Sequence, residues 1–485
     1  MSEILFHYER VNPTTWAYLS SLLTLALFFK FNRLLSVRNL DLLLLILLAP
    51  AMICIKWGLD HPASVAGAIG PAGPDAVSPQ RVEELGYLWL FGINTLLLVR
   101  MLADTMMVRR PLLEPNLTAG GLSFLTVSLL LFLAANVVTG TPEQADLYAV
   151  RRADHLAKRE ASELELSSLE THGPGFPVVF QFPHIVTQRL LSPERKGAAD
   201  AEAPTPSGTP DPSISDQPFP PSEGDPTAPR FSSAEEITAK ATAIVCQAMI
   251  VLGILLVASW HFDNPTAGIA AATLYLMLPY TAMWTGSTTH ALPGALLVWA
   301  ILFYRRPFVA GLLIGLACGT LYYPLFLLPL WITFYWRRGA GRFVAGGLCV
   351  LPVLILVLVF TSTDTAMFFA QLRQTFGVRL PRIEQVDGIW QFWSPEYRLP
   401  ILAFHIGLSL SFILWPAQKN LATLLSASAA LMLGAQFWHA HSGGLALGWY
   451  MPALLLTVFR PNLEDRVALD VVLPVKWKAP WRAAA

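Results

Sequence analysis

Apolar runs of about 15–20 residues recur along this chain, each the length that crosses the ~30 Å hydrocarbon core of a bilayer. So many runs cannot share one soluble core, because a soluble protein of this size also needs a polar surface. Of the 485 residues, 54% are hydrophobic and only 14% are charged. Ordinary soluble domains carry roughly 25% charged residues. Mean hydropathy is +0.50. The sequence predicts an all-α polytopic membrane protein and excludes a soluble enzyme, a secreted disulfide scaffold and a wholly disordered chain. Lys and Arg balance Asp and Glu at 33 each, so the basic excess that nucleic acid requires is missing. Cys54, Cys246, Cys318 and Cys349 all fall in apolar runs and form no C-x-x-C, which indicates neither a zinc site nor a redox pair.

Thirteen candidate spans can be drawn. The first four are Trp16–Phe31, Leu40–Lys56, Leu85–Met101 and Leu117–Val138. After a polar break come Ala241–Trp260, Thr266–Trp284, Leu292–Tyr304, Phe308–Leu321 and Pro324–Trp336. Phe343–Thr361, Pro400–Trp415, Leu421–Phe437 and Gly443–Phe459 complete the set. The acidic N-terminus (Glu3, Glu9) lacks the order of a signal peptide, so the first span reads as a retained anchor. Lys and Arg favour cytoplasmic loops. With thirteen spans, Lys30, Arg33 and Arg38, Arg109 and Arg110, Arg305 and Arg306, Arg337, Arg338 and Arg342, Lys419 and the C-terminal cluster all fall on one side. The N-terminus is then outside and the C-terminus cytoplasmic, in a multi-pass plasma-membrane arrangement expected of a bacterial inner membrane.

Five regions follow: a three-helix membrane extension over 1–116; the fourth span with an outer amphipathic helix over 117–197; a Pro-rich linker over 198–232; a multi-helix membrane core over 233–461; and a cytoplasmic tail over 462–485. The outer loop Thr139–Ile237 is about a hundred residues long. Thr141–Leu169 reads as helix, whereas Ala198–Arg230, with nine prolines, reads as disordered. Gly173–Pro177 and the apolar stretch Val178–Val186 read as a surface-dipping turn too short to span. Ser233 and Glu236 form a candidate capping box for the fifth span. Gly311, Gly315 and Gly319 share one helix face, which suits close helix packing within the chain, a dimer contact or a ligand groove.

The span centres are almost free of ionisable residues, with Asp104 and Asp263 at span ends, which argues against ion-coupled transport. The outer-side inventory is richer. Asp146, Arg151, Arg152, Asp154 and His155 fall within about three helical turns just after the fourth span. Asp146 could act as a general base on an acceptor hydroxyl, and the two arginines could hold a lipid-linked phosphate. The same residues also fit a solvated amphipathic helix lying on the bilayer. Trp390 and Trp393, in the loop Ile383–Arg398, could stack on sugar rings or serve as interfacial anchors.

The stretch from Ala241 to about Gly347 resembles the glycosyltransferase C superfamily, in particular the family 87 type of polyprenyl-phosphate-dependent mannosyltransferases. The residues that carry the resemblance are Ala267 to Tyr280, His290-Ala-Leu-Pro293, Arg305 to Thr320 with its glycines Gly311, Gly315 and Gly319, and Tyr323-Pro324 through Pro329 to Trp331. The resemblance implies a sugar transferred from a polyprenyl-phosphate donor on the outer face, with no nucleotide and no certain cofactor. It places the catalytic carboxylate near the start of the first long outer loop, which selects Asp146, with Asp154 second. Arg151, Arg152, His290 or Arg398 would stabilise the leaving lipid phosphate. The reading from a different class is a non-catalytic envelope protein, a transporter, flippase or scaffold, with a polar path along Asn94, Asn136, Gln247 and Thr285.

Overall fold

The computed structural model describes residues 12–61, 78–107, 113–158, 173, 175–198, 231–336, 338–362, 364–366, 368–369, 386–440 and 443–463. The Pro-rich stretch, most of the C-terminal tail and parts of the expected outer loops lie outside these residues. The described residues form helices and no strand. The first five are α1 (Pro13–Phe28), α2 (Val37–Ile46), α3 (Leu48–Asp60), α4 (Pro79–Ala103) and α5 (Ala119–Thr139). Outside the apolar runs lie α6 (Gln144–Lys158) and α7 (Gly175–Ala198). The next series is α8 (Ser233–His261), α9 (Pro265–Met277), α10 (Pro279–Trp284), α11 (Thr288–Leu302) and α12 (Pro307–Thr320). The last are α13 (Leu328–Phe334), α14 (Ala340–Leu348), α15 (Val350–Thr361), α16 (Arg398–Ser411), α17 (Leu421–Ala435) and α18 (Met451–Phe459).

Among the described residues five helical stretches are long and apolar enough to cross a membrane: α4, α5, α8 and the two proline-interrupted pairs Val37–Asp60 (α2 with α3) and Ala340–Val359 (α14 with α15). Several expected spans are instead interrupted, and proline accounts for the breaks. Proline has no N–H for the carbonyl four residues back. Pro50 therefore leaves Ile46 unmatched where α2 gives way to α3, and Pro352 does the same for Leu348 between α14 and α15. Pro279 turns Leu278 out of helical geometry, and the Thr281 hydroxyl donates to the freed Tyr275 carbonyl at 2.6 Å. The ninth run begins as a 3₁₀ turn at Tyr323–Leu327. The thirteenth becomes helical only at Met451, because Gly444 takes φ +87° and a 3₁₀ turn follows.

Two local expectations are corrected. Where a dipping turn was expected, Gly175 opens the 24-residue α7, which continues through Val178–Val186. The capping box sits one residue earlier, with Ser232 and Glu235 exchanging bonds of 3.3 and 2.6 Å.

α8 packs on α9 and α11, α9 on α5, and α17 on α4 and α18. The glycine face of α12 is filled from within the chain. A Cβ on Gly311 would meet the Phe343 carbonyl oxygen at 2.0 Å, and one on Gly346 the Phe308 carbonyl oxygen at 2.0 Å. α12 and α14 therefore approach backbone to backbone. The residues of the expected polar path are tied up locally where their bonds are seen. Tyr450 donates to Asn94 and Tyr275 to Gln247, each at 2.8 Å, and Thr285 donates to the Thr281 carbonyl.

Four charged side chains are buried together where α2, α4 and the end of α18 meet. Arg100 bonds Asp41 at 2.7 Å and Asp104 at 3.0 Å, and Arg460 bonds Asp104 at 2.6 Å. All four are at most 5% exposed. The network fastens the N-terminal helices to the last helix of the core.

Candidate active site

Asp146 sits in the first turn of α6 and is completely buried. One carboxylate oxygen, Oδ2, accepts from the backbone N–H of Thr288 at 2.8 Å, at the N-terminus of α11. Ser287 holds the capping position there but makes no side-chain cap. Its hydroxyl lies 2.8 Å from that of Thr289. A side chain 142 residues away in sequence thus supplies the cap, where the helix dipole favours an anion. The other oxygen, Oδ1, is buried without a hydrogen-bond partner. Such an atom costs about 1–3 kcal/mol of desolvation.

Burial, and then the charge of Glu143, push the Asp146 carboxyl well above the usual carboxylate range, while the N–H groups of Thr288 and Thr289 pull the other way. Glu143 is half-buried, and its Oε2 accepts from the Thr289 hydroxyl at 3.4 Å. The two acids therefore hook onto successive residues of α11. Sequence reasoning missed Glu143. Its signal was the spacing of three from Asp146, which puts both on one face of a helix.

The third feature follows from Pro293 inside α11. It cannot donate to the Thr289 carbonyl, and the Trp449 indole N–H takes that acceptor at 3.0 Å. Trp449 extends an aromatic wall. Its ring centroid lies 5.0 Å from Tyr323 and 5.2 Å from His439, and Tyr323 stacks on His439 at 4.9 Å. Arg398 joins the far end, its Nε donating to the Trp438 carbonyl at 3.0 Å. On the near side the Tyr280 hydroxyl lies 2.7 Å from His290 Nδ1, and His290 stacks on Trp284 at 4.5 Å. Asp146 and Trp449 are thus anchored at the successive residues Thr288 and Thr289 of α11, next to His290, while Arg398 bonds the neighbouring Trp438 carbonyl. Trp284, His439 and Trp449 were not singled out from the sequence, and Tyr280 and Tyr323 entered only as residues of the resemblance. Only the fold brings their segments together.

The remaining candidates make other contacts. Arg151 pairs with Glu235 of the capping box at 3.0 Å and lies 4.1 Å over the Phe231 ring. Arg152 is buried and His155 half-buried on α6. Asp154 faces the seam between α6 and α7. Burial raises its carboxyl, but bonds from Lys158 and Gln188 and the charge of Lys158 hold it below the ordinary range. Trp390 is a core residue at 2% exposure and offers no open face for stacking, whereas Trp393 is 42% exposed.

Among the described residues no cluster of three or more His, Cys, Asp or Glu side chains is placed to hold a metal ion. Compared with known proteins, the chain matches no family model, no curated protein and no solved structure.

Proposed function

We propose that the protein is an integral membrane glycosyltransferase that moves a sugar from a polyprenyl-phosphate donor to an envelope acceptor on the outer face. The observation that carries this reading is Asp146. It is a buried carboxylate with one oxygen fixed on a helix N-terminus and the other unpartnered, one residue from the Thr289 carbonyl that the Trp449 indole holds. Desolvation strengthens such a base. Asp146 accepts the acceptor hydroxyl's proton as that oxygen bonds to the anomeric carbon. The bond from that carbon to the donor's phosphate oxygen breaks, and the sugar inverts. Polyprenyl phosphate leaves with the electron pair, its charge met by Arg398 and His290. Within the wall Trp449, Tyr280 and His439 are buried, and the half-buried rings of Trp284 and Tyr323 are the ones a sugar ring could meet. In this reading the chain crosses the membrane thirteen times, with the N-terminus outside and the α6 end at the outer face of a bacterial plasma membrane.

The complete burial of Asp146 favours a second reading, in which it is only a cap that fastens α6 to α11 in a non-catalytic envelope protein. The variant Asp146→Asn separates the two, because its amide oxygen still accepts from Thr288 while the base is gone. Membranes containing either form are incubated with polyprenyl-phosphate mannose labelled in the sugar, and label entering acceptor is counted. Loss of transfer with normal insertion supports the base. Unchanged transfer overturns it.

A further inference from the structure

The seam between α6 and α7 contains a second buried polar group that the proposed reaction does not use. His184 of α7 is 3% exposed. Its Nδ1 lies 3.2 Å from the Thr238 hydroxyl of α8, and its Nε2 lies 2.8 Å from Nε2 of Gln188 and 3.5 Å from Oδ1 of Asp154. The proton positions follow by elimination. Thr238 already donates its hydroxyl hydrogen to the Ala234 carbonyl at 2.7 Å, so it can only accept from His184. Nδ1 therefore carries the hydrogen. The Gln188 nitrogen also lies 3.1 Å from Asp154 Oδ1. Turning that amide over would set its oxygen against the carboxylate, so the NH₂ group faces both neighbours. It gives one hydrogen to Asp154 and one to a bare His184 Nε2.

We infer that this triangle is a proton-operated joint between α6 and α7. A proton added to His184 makes Nε2 a donor facing another donor. Gln188 must withdraw its NH₂ group, and the imidazolium then pairs directly with Asp154. Acid thereby replaces a bridge through a neutral amide with an ion pair across the seam.

The charged groups around His184 are consistent with this exchange. From α6, Asp154 is shared with Lys158 at 2.6 Å, and Arg151 is matched to Glu235 of α8. Arg152 and His155 on α6 and Glu236 and Lys240 on α8 complete the titratable groups of those helices within this region, and α12, the third helix against α7, carries no charged side chain. The joint fastens the helix that bears Asp146, but its existence does not depend on what Asp146 does.

The test reads the ring nitrogens of the full-length protein, labelled with ¹⁵N-histidine in lipid bilayers, as pH is lowered. A neutral histidine with hydrogen on Nδ1, against the Nε2–H form usual in water, is expected. It is assigned to His184 because Gln188→Met removes the donor to Nε2 and converts the signal to the Nε2–H form. Below the titration both nitrogens carry hydrogen. Amide exchange along α6, corrected for intrinsic rate, should then slow by about two- to fivefold, and His184→Gln should abolish the slowing. An Nε2–H form in the wild type, a signal indifferent to Gln188→Met, or equal slowing in His184→Gln overturns the inference.

Discussion

Asp41 with Asp104, and Asp146, are the most deeply buried carboxylates among the described residues, and the two sites treat them in opposite ways. Asp41 and Asp104 are held by Arg100 and Arg460, so two acids meet two guanidinium groups in close contact. Asp146 has no cation in hydrogen-bond reach. It has backbone N–H groups at a helix N-terminus, an oxygen without a hydrogen-bond partner and a neighbouring acid. A buried carboxylate whose charge is matched holds helices together. One whose charge is unmatched is a poor fastener and a ready proton acceptor. Burial alone therefore does not separate structure from chemistry, and the state of the partners does.

The sharpest way to break this contrast is to remove a cation from the first site. Arg100→Met takes both guanidinium bonds from Asp41 and leaves Asp104 to Arg460, and removing one partner of a buried pair costs about 3–5 kcal/mol. The thermal midpoint in detergent should collapse, or the protein should fail to accumulate. A midpoint within a degree or two of wild type would show the network to be ornamental.

At the second site the same kind of change should leave the fold standing. Asp146→Asn keeps the acceptor for Thr288 and removes the unmatched charge, so the midpoint should hold or rise. Sugar transfer should fall by about 10²–10⁴, the contribution of a positioned general base. Equal losses of stability and transfer would erase the distinction between the two sites.

The pH dependence should differ as well. Because the folded Asp146 carboxyl is raised, the native protein binds its proton more tightly than the unfolded chain does. Its contribution to stability is complete below the unfolded value of about 3.9 and is lost as pH rises through the folded value. The limiting slope is about 1.4 kcal/mol per pH unit for one group. Urea unfolding of wild type and Asp146→Asn should diverge in that window, with wild type losing more as pH increases. Parallel curves would mean that Asp146 is ionised in the folded protein.

The sequence revealed these sites unequally, for physical reasons. Periodic apolar length located the helices, so the run Ala241–Trp260 lies within α8. It could not show where prolines interrupt helices, because a run stays apolar through Pro50, Pro279 and Pro352. Asp146 stood out because it follows a span in polar sequence. Asp41 did not, because it sits among Leu40, Leu42, Leu43, Leu44 and Leu45 and its partners lie 59 and more residues away. The same distance hid Thr288 and Trp449. Pro293 was quoted in the sequence, and its orphaned Thr289 carbonyl is what fixes Trp449, but only the fold says which indole arrives.

The mildest test concerns Arg151, which lies between the two extremes. Its pairing with Glu235 is partly open, with 22% and 10% side-chain exposure, so water screens it. Exposed pairs contribute about 0.2–1 kcal/mol, and the stacking over Phe231 adds about 0.5–1 kcal/mol. Arg151→Gln should therefore lower stability by about 1 kcal/mol, a shift of a few degrees at most. If Arg151 serves only the capping box, the KM for polyprenyl-phosphate sugar stays at the wild-type value. If it leaves Glu235 to hold the donor's phosphate, KM rises while the thermal midpoint scarcely moves, and the catalytic surface then extends a full turn along α6 beyond Asp146.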